Sequence, residues 1–421
     1  MNRGFYIIMA AQFFSSLADN ALLVGAIALL IDLASPPWMT PMLKLFFVIS
    51  YVLLAPFVGA FADSMPKGRV MFIANTVKVA GCMLMLLDVH PLYAYALVGL
   101  GAAAYSPAKY GILTEYQPAG RLVVANGWIE GLTVLSIILG TVLGGALISP
   151  GVSDGLLAMD LLPRIDTGID TPGEASVLVT GVFYVIAAGF NLYIPHTGVD
   201  HVVLHRNPLY LARDFYHCFA LLWRDKLGQI SLATTTLFWG AGATLQFIVL
   251  KWAESALNYP LSKATMLQGV VAIGIAVGAV AAARLVPLRK STGILFCGVI
   301  MGAVTMSMVL VRDIAIAIPL MIVIGALAGF FVVPMNALLQ HRGHVLMGAG
   351  SSIAVQNFNE NLSILLMLAL YATLVRAELS IYAVILLFGS FISVSMVMVI
   401  RHHNANQAKG DSLHLIGVDK P

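Results

Sequence analysis

Charge is what this sequence has least of. Asp, Glu, Lys and Arg together make up only 10% of its 421 residues, where about 25% is usual for a soluble domain. No basic run occurs and the net charge is only +3, so the electrostatic footprint of a nucleic-acid-binding protein is absent. Three cysteines, Cys82, Cys218 and Cys297, are too few and too scattered for a disulfide framework or a zinc site. They read as small buried hydrophobes, and neither a metal nor a cofactor is expected. No nucleotide-binding loop and no His–Asp pair at catalytic spacing in an interfacial loop is found, so the chain is not expected to be an enzyme.

Apolar residues take the place of charge. The chain is 60% hydrophobic with a mean hydropathy of +0.92. Segments of about 20 apolar residues, the length that crosses ~30 Å of hydrocarbon, recur from end to end. Breakers and charges divide the chain into twelve spans, at 5–33, 41–62, 69–88, 91–113, 122–149, 175–195, 228–256, 263–287, 291–311, 313–339, 346–375 and 379–400. Several exceed 25 residues, which predicts tilted, curved or interrupted helices. Met1–Arg3 and the run behind them resemble a signal peptide. The run continues past Asp19 to about Ile31, too long for a cleaved segment, and reads as a retained first span.

Lysine and arginine placement gives the orientation. Of 23 such residues, Lys44, Arg164, Lys251, Lys263, Arg312 and Arg376 fall outside, Lys78 and Lys109 fall within spans, and the other fifteen fall inside when both termini are cytoplasmic. The outer loop 150–174 carries Asp154, Asp160, Asp166, Asp170 and Glu174 against Arg164 alone. The inner segment 198–227 contains "LYLARDFYHCFALLWRD", whose apolar spacing suits an amphipathic helix lying at the membrane surface. The polar tail 404–421 reads as disordered.

The halves on either side of that linker, 1–197 and 228–403, share three weak matches in the same order. "VGAFAD" (58–63) pairs with "VGAVAA" (277–282), "YSPAK" (105–109) with "VVPMN" (332–336), and "VANGWIEGL" (124–132) with "VQNFNENL" (355–362). The offsets, 219, 227 and about 231, are mutually consistent. A duplicated six-helix unit follows, and with it an all-α membrane protein of twelve helices in two halves with a midplane site between them.

"GAFADSMPKGRV" (59–70) lies between the second and third spans. Gly59 allows close helix approach, and Asp63 and Arg69 can pair across the turn or cap a helix end. The stretch resembles the G-x-x-x-D-x-x-x-[GR]-[KR] loop of the major facilitator superfamily, departing from it with Pro66 and Lys67 in the turn and Gly68 before Arg69. Within that superfamily the chain is similar to the bacterial lysophospholipid transporters. The carrying stretches are "SLADNALL" (16–23), "APFVGAFADS" (55–64), "LVGLGAAAYSPAKYGIL" (97–113), "LFWGAGATL" (237–245), "GFFVVPMNALLQHRG" (329–343) and "AVQNFNEN" (354–361). The resemblance implies alternating-access movement of lysophosphatidylethanolamine and lysophosphatidylglycerol from the outer to the inner leaflet of the bacterial inner membrane. It further implies no need for ATP, and re-acylation by an acyltransferase on the cytoplasmic side. A monomer is the default expectation.

Polar groups inside the spans are the candidate site. An aspartate at the centre of a membrane helix costs roughly 2.5–3.5 kcal/mol, so Asp19, beside Asn20, asks for a reason. It reads as a cavity-facing carboxylate for a cation, a proton or a lysine, or as a buried packing pair. Lys109, two residues after Pro107, reads as a phosphate contact or as a lysine snorkelling to the near membrane face. Gln356, Asn357, Asn359, Glu360 and Asn361 form the densest polar cluster of the second half and read as a cavity wall. Asn336, the repeat mate of Lys109, joins them, and Gln246 adds an uncharged donor; Trp239 reads as interfacial or core packing ahead of an aromatic wall. Asn126 and Glu130, close to Arg121, read as helix capping. Lys78 faces Asp19 or Glu130, or only supports its own span. His201, His205, His402 and His403 read as a solvated polar face. Gly59, Asp63, Lys67 and Arg69 read as gating structure. The alternative is a proton-coupled transporter of small amphipathic solutes or drugs, in which Asp19 or Glu360 carries a proton.

Overall fold

Arg3–Asp32 runs thirty residues without a proline and folds as one α-helix, α1, ~45 Å long at 1.5 Å per residue. The computed structural model describes residues 3–36, 39–158, 169–199, 207–259, 261–410 and 412–416. Asp160, Arg164, Asp166, His201, His205, Arg206 and Lys420 of the sequence reading lie outside them. Among the described residues there are fifteen α-helices and no strand. After α1 come α2 (Met39–Leu53), α3 (Ala55–Asp63), α4 (Lys67–Leu86), α5 (Pro91–Tyr116), α6 (Leu122–Leu147), α7 (Pro150–Leu157) and α8 (Pro172–Leu192). The rest are α9 (Pro208–Arg224), α10 (Gly228–Leu257), α11 (Leu261–Leu285), α12 (Phe296–Met306), α13 (Ile314–Met347), α14 (Ala349–Arg376) and α15 (Ile381–Ala408).

Among the described residues, nine helices are long and apolar enough to cross a membrane singly, and two bent pairs raise the number to eleven. The remaining expected span is α5, 26 residues long, which Pro107 does not interrupt. The second span is not one rod. It breaks at Leu54 by 64° between α2 and α3, because Pro56 in the first turn of α3 has no N–H for the preceding carbonyl and its ring crowds that turn. The ninth span also bends, by 40°, where the 3₁₀ turns of Leu288–Ile294 meet α12.

Local chemistry sets the ends. Thr171 and Glu174 form a capping box on α8, with Thr171 Oγ1 accepting from the Glu174 amide at 3.2 Å and Glu174 Oε2 from the Thr171 amide at 2.9 Å. Glu174, expected as part of an acidic loop, is therefore a helix cap, and the start of that loop is the short helix α7. Gly348, at φ +103°, separates α13 from α14 in a conformation that suits glycine. α13 and α15 outrun their expected spans by eight residues each, to Met347 and Ala408. The tail expected to be disordered from 404 instead continues as helix. Beyond it, Gln407 Nε2 donates to Ser412 Oγ at 2.7 Å, Lys226 Nζ to the Gly410 carbonyl at 3.1 Å, and Ile416 is buried. The amphipathic linker segment folds as α9, with Leu209 and Tyr216 exposed and Cys218 and Leu222 buried.

Packing groups the chain into two compact units that do not follow the sequence halves. The first is Met1–Ile112 with Leu135–Phe215, the second Leu113–Val134 with Tyr216–Pro421. In the first, α8 packs on α1 and on α4, around buried Ala18, Leu22, Leu30, Cys82, Val98 and Val177. In the second, α11 lies along α13, α10 along α14, and α12 along α15. Trp252 Nε1 ties α10 to the Met308 carbonyl at 2.9 Å. Gly274 and Gly278 of α11 face Gly325, Ala326 and Gly329 of α13, with backbone against backbone, the small-residue contact that membrane helices favour.

Candidate functional site

In the first unit, α1 sets Ser15 and Asp19 one turn apart, and both meet Lys78 of α4. Lys78 Nζ lies 2.8 and 3.0 Å from the two Asp19 oxygens and donates to Ser15 Oγ at 3.1 Å. Ser15 in turn donates to Asn75 Oδ1 at 2.8 Å. Tyr184 of α8 donates to Asp19 Oδ1 at 2.7 Å. The ammonium also sits 5.0 and 5.2 Å from the ring centres of Tyr105 and Tyr184, a further favourable contact. The Lys78 side chain is 1% exposed and that of Asp19 is 23%, so the pair is closed on the lysine side and partly open on the aspartate side. Of the readings for Lys78, the partner is Asp19.

Lys109 and Asn20 stand apart from this pair. Lys109 Nζ lies 4.3 Å from the Tyr110 ring centre. Asn20 turns back on its own helix and donates to the Ser16 carbonyl at 2.8 Å.

The second unit holds a polar ladder. Asn126 and Gln340 exchange amide hydrogen bonds at 2.9 Å in both directions. One turn further on both helices, Asn336 Nδ2 donates to Glu130 Oε1 at 3.2 Å. Gln356 Nε2 of α14 donates to Asn336 Oδ1 at 3.0 Å and to Glu360 Oε1 at 2.7 Å. Two carboxylates are thus joined through two primary amides, and all four side chains are buried. Capping is not what Asn126 and Glu130 do: α6 begins at Leu122 and both face α13 across it. The i, i+4 spacings 126/130, 336/340 and 356/360 were the available signal. A cavity of about 300 Å³ with Gln117, Leu122, His341 and His344 among its lining flanks the Gln340 rung.

The remaining candidates make local contacts. Gln246 is exposed and pairs with Gln268 of α11 at 3.1 Å. Asn361 and Asn359 donate to the carbonyls of Asn357 and Val355, each at 2.8 Å, and the Asn357 side chain is buried beside them. Trp239 packs edge-on to Phe238. His402 approaches Gln229 Oε1 at 3.1 Å, and His403 is buried rather than solvated.

At the turn after α3, Asp63 pairs with Lys67 at 2.6 Å, not with Arg69. α4 starts at Lys67, whose side chain folds back to Asp63 and to the Ala62 carbonyl at 2.7 Å, leaving Arg69 exposed; Gly59 is buried one turn earlier. The second unit has its own charged clamp, which the sequence reading missed. Arg342 grips Asp225 through Nε at 3.1 Å and NH2 at 2.6 Å, and Asp225 also accepts from the Leu227 and Gly228 amides at 3.2 and 2.7 Å. Arg342→Ala leaves a mostly buried carboxylate with only its amides and should destabilise by ~3 kcal/mol. Lys251→Ala, which breaks the exposed pair with Glu254, should change nothing measurable. Denaturant unfolding of the purified protein checks the contrast, and equal effects would refute it.

Long apolar helices, interior charges with internal partners, and buried amides on facing helices define a polytopic membrane transporter. The chain matches the model of the Major Facilitator Superfamily over residues 8–367. It is 42% identical over 384 residues to the lysophospholipid transporter LplT of Pectobacterium carotovorum subsp. carotovorum (strain PC1), covering 91% of this chain and 89% of that protein. The LplT of Yersinia enterocolitica is likewise 42% identical, over 91% of this chain and 90% of the relative. Solved structures share the fold at low identity. One is a bacterial homologue of the iron transporter ferroportin in an outward-facing state (TM-score 0.69, 13% identity, 97% of this chain and 100% of that one). Another is the human organic anion transporter MFSD10 (TM-score 0.69, 14% identity, 96% and 100%). The chain belongs to the major facilitator superfamily and, within it, to the family of the LplT transporters.

Proposed function

We propose that this protein carries lysophospholipids from the outer to the inner leaflet of the bacterial inner membrane by alternating access, for re-acylation by an acyltransferase on the cytoplasmic side. The carrying observation is 42% identity, over nine-tenths of the chain, to relatives named as lysophospholipid transporters. The halves 1–197 and 228–403 move against each other about the linker 198–227, with both termini cytoplasmic and the chain acting as a monomer. The turn with Gly59, Asp63, Lys67 and Arg69 serves as gate structure.

The headgroup of lysophosphatidylethanolamine carries an ammonium and a phosphate. Asp19, held by Lys78 yet partly open, offers its free edge to the ammonium, and Lys109 offers a point charge to the phosphate. Asn20 and Gln246 add uncharged donors. Asn336, Gln356, Asn357, Glu360 and Asn361 are buried or half-buried in the form described and meet the headgroup only after the ladder parts. The acyl chain stays in apolar surface.

Uptake of labelled lysophosphatidylethanolamine by cells lacking their own transporter tests this. Expression should raise uptake at least tenfold and a protonophore should leave that rise in place. Uptake abolished by the protonophore would replace the passive carrier with a proton-driven one. No rise, with the protein present in the membrane, would refute the substrate.

A further inference from the structure

Two prolines in the second unit start matching turns. Pro118 follows α5 and Pro287 follows α11; neither has an N–H with which to continue a helix. Each opens a 3₁₀ segment, Ala119–Arg121 and Leu288–Ile294. The Arg121 amide donates to the Pro118 carbonyl and the Lys290 amide to the Pro287 carbonyl, both at 2.8 Å. Arg121 and Lys290 thus hold the same place in the two turns, and the turns pack against each other. α6 and α11 bring them together: a Cβ on Gly127 would lie 2.8 Å from the Ala283 Cβ. Arg284, next to Ala283, and Arg289 stand at the same end. All four cations are exposed, and none makes an ion pair among the described residues.

The chain offers this cluster little negative charge. Residues 255–312 contain no Asp or Glu. Glu115 lines the cavity that flanks the Gln340 rung, and Glu130 accepts from Asn336 on α13. Like charges this concentrated repel one another over a Debye length of ~10 Å unless an anion sits among them. Apolar surface borders the cations. Leu285, beside Arg284, is 71% exposed, and Phe296, at the bend into α12, is 53% exposed. A soluble anion would neutralise the charge and leave that apolar surface in water. A phospholipid answers both, with its phosphate on the guanidinium forks and its acyl chains along Leu285 and Phe296. A zwitterionic headgroup would bring an ammonium into a cluster that is already cationic, whereas a net negative one would not.

We propose that Arg121, Arg284, Arg289 and Lys290 form a binding site for an anionic phospholipid of the surrounding bilayer, with phosphatidylglycerol as the fitting chemistry. On the orientation proposed above, the site faces the cytoplasmic leaflet, where basic recesses between membrane helices hold anionic headgroups. None of its four cations is among the groups assigned to the transported headgroup. The bound lipid fastens the start of α6 to the end of α11, two segments that the sequence sets far apart.

Native mass spectrometry of the detergent-purified protein tests the site without any lysophospholipid, so its failure is separate from failure of the substrate reading. Dioleoylphosphatidylglycerol should be retained roughly tenfold more tightly than dioleoylphosphatidylcholine, which has the same chains. One cation beside an anionic headgroup is worth roughly fivefold in binding. Arg289→Gln with Lys290→Gln should therefore weaken retention by about 25-fold. Arg213→Gln, a loss of charge on the exposed face of α9, should leave it within about twofold. These exposed positions tolerate substitution, and the comparison of the two lipids needs no variant at all. Equal retention of both lipids overturns the proposal. Equal weakening by Arg213→Gln overturns it too, since the attraction would then be diffuse. Displacement of the lipid by soluble glycerol phosphate at matched concentration would make this a site for a free phosphate ester and would overturn the lipid as its occupant.

Discussion

Asp19→Ala should destabilise the protein by about 3–5 kcal/mol, the range for breaking a buried ion pair from one side. Lys78→Met should cost clearly less. The asymmetry follows from exposure: the lysine left behind by the first change is 1% exposed, while the aspartate left by the second is 23% exposed and can reach water. Ser15 Oγ and the two tyrosine rings soften the first loss without replacing the charge. Asp19→Ala together with Lys78→Met removes both charges and should recover most of the stability. The double variant also separates structure from transport. If it is folded and still takes up lysophosphatidylethanolamine, Asp19 is a packing residue. If it is folded and inactive, the free edge of the carboxylate meets the headgroup. Thermal unfolding monitored by size-exclusion, with uptake measured on the same variants, gives both readings.

What the sequence made legible here was position, and what it hid was partnership. A lone aspartate among apolar residues marks itself, because a membrane tolerates one only where something compensates. Which cation compensates depends on how α1, α4 and α8 lie together, and no spacing within one helix carries that. The same holds at the turn after α3, where the rigid start of α4 at Pro66 brings Lys67 rather than Arg69 onto Asp63. Glu130 was misread for a related reason. Arg121 marks a helix end, so a carboxylate nine residues on looked like capping, yet the helix begins at Leu122 and presents Glu130 to Asn336. The i, i+4 pair of Gln356 and Glu360 was legible, because both partners lie on one helix.

Gly278→Ala should be among the most damaging single-methyl changes in the second unit, and Gly269→Ala, nine residues earlier on the same helix, should be harmless or stabilising. In a helix, alanine is favoured over glycine by roughly 0.5–1 kcal/mol, and at Gly269 an added Cβ meets nothing within 4 Å. At Gly278 it meets the Ala326 carbonyl, with the Phe330 amide nitrogen 2.8 Å away. Those atoms are backbone of α13 and cannot turn aside as a side chain does. Overpacking that side chains can absorb costs about 1–3 kcal/mol; here the two helices must separate, and the loss should exceed that range. Separation would also move α13, which carries Asn336 and Gln340, away from its place beside α6 and α14. The ladder and the helix seam are therefore coupled, and Gly278→Ala should lose uptake together with stability. Thermal unfolding of the two variants decides it. Similar midpoints for both would mean that α11 and α13 are not held at backbone contact, and the ladder would then need another support.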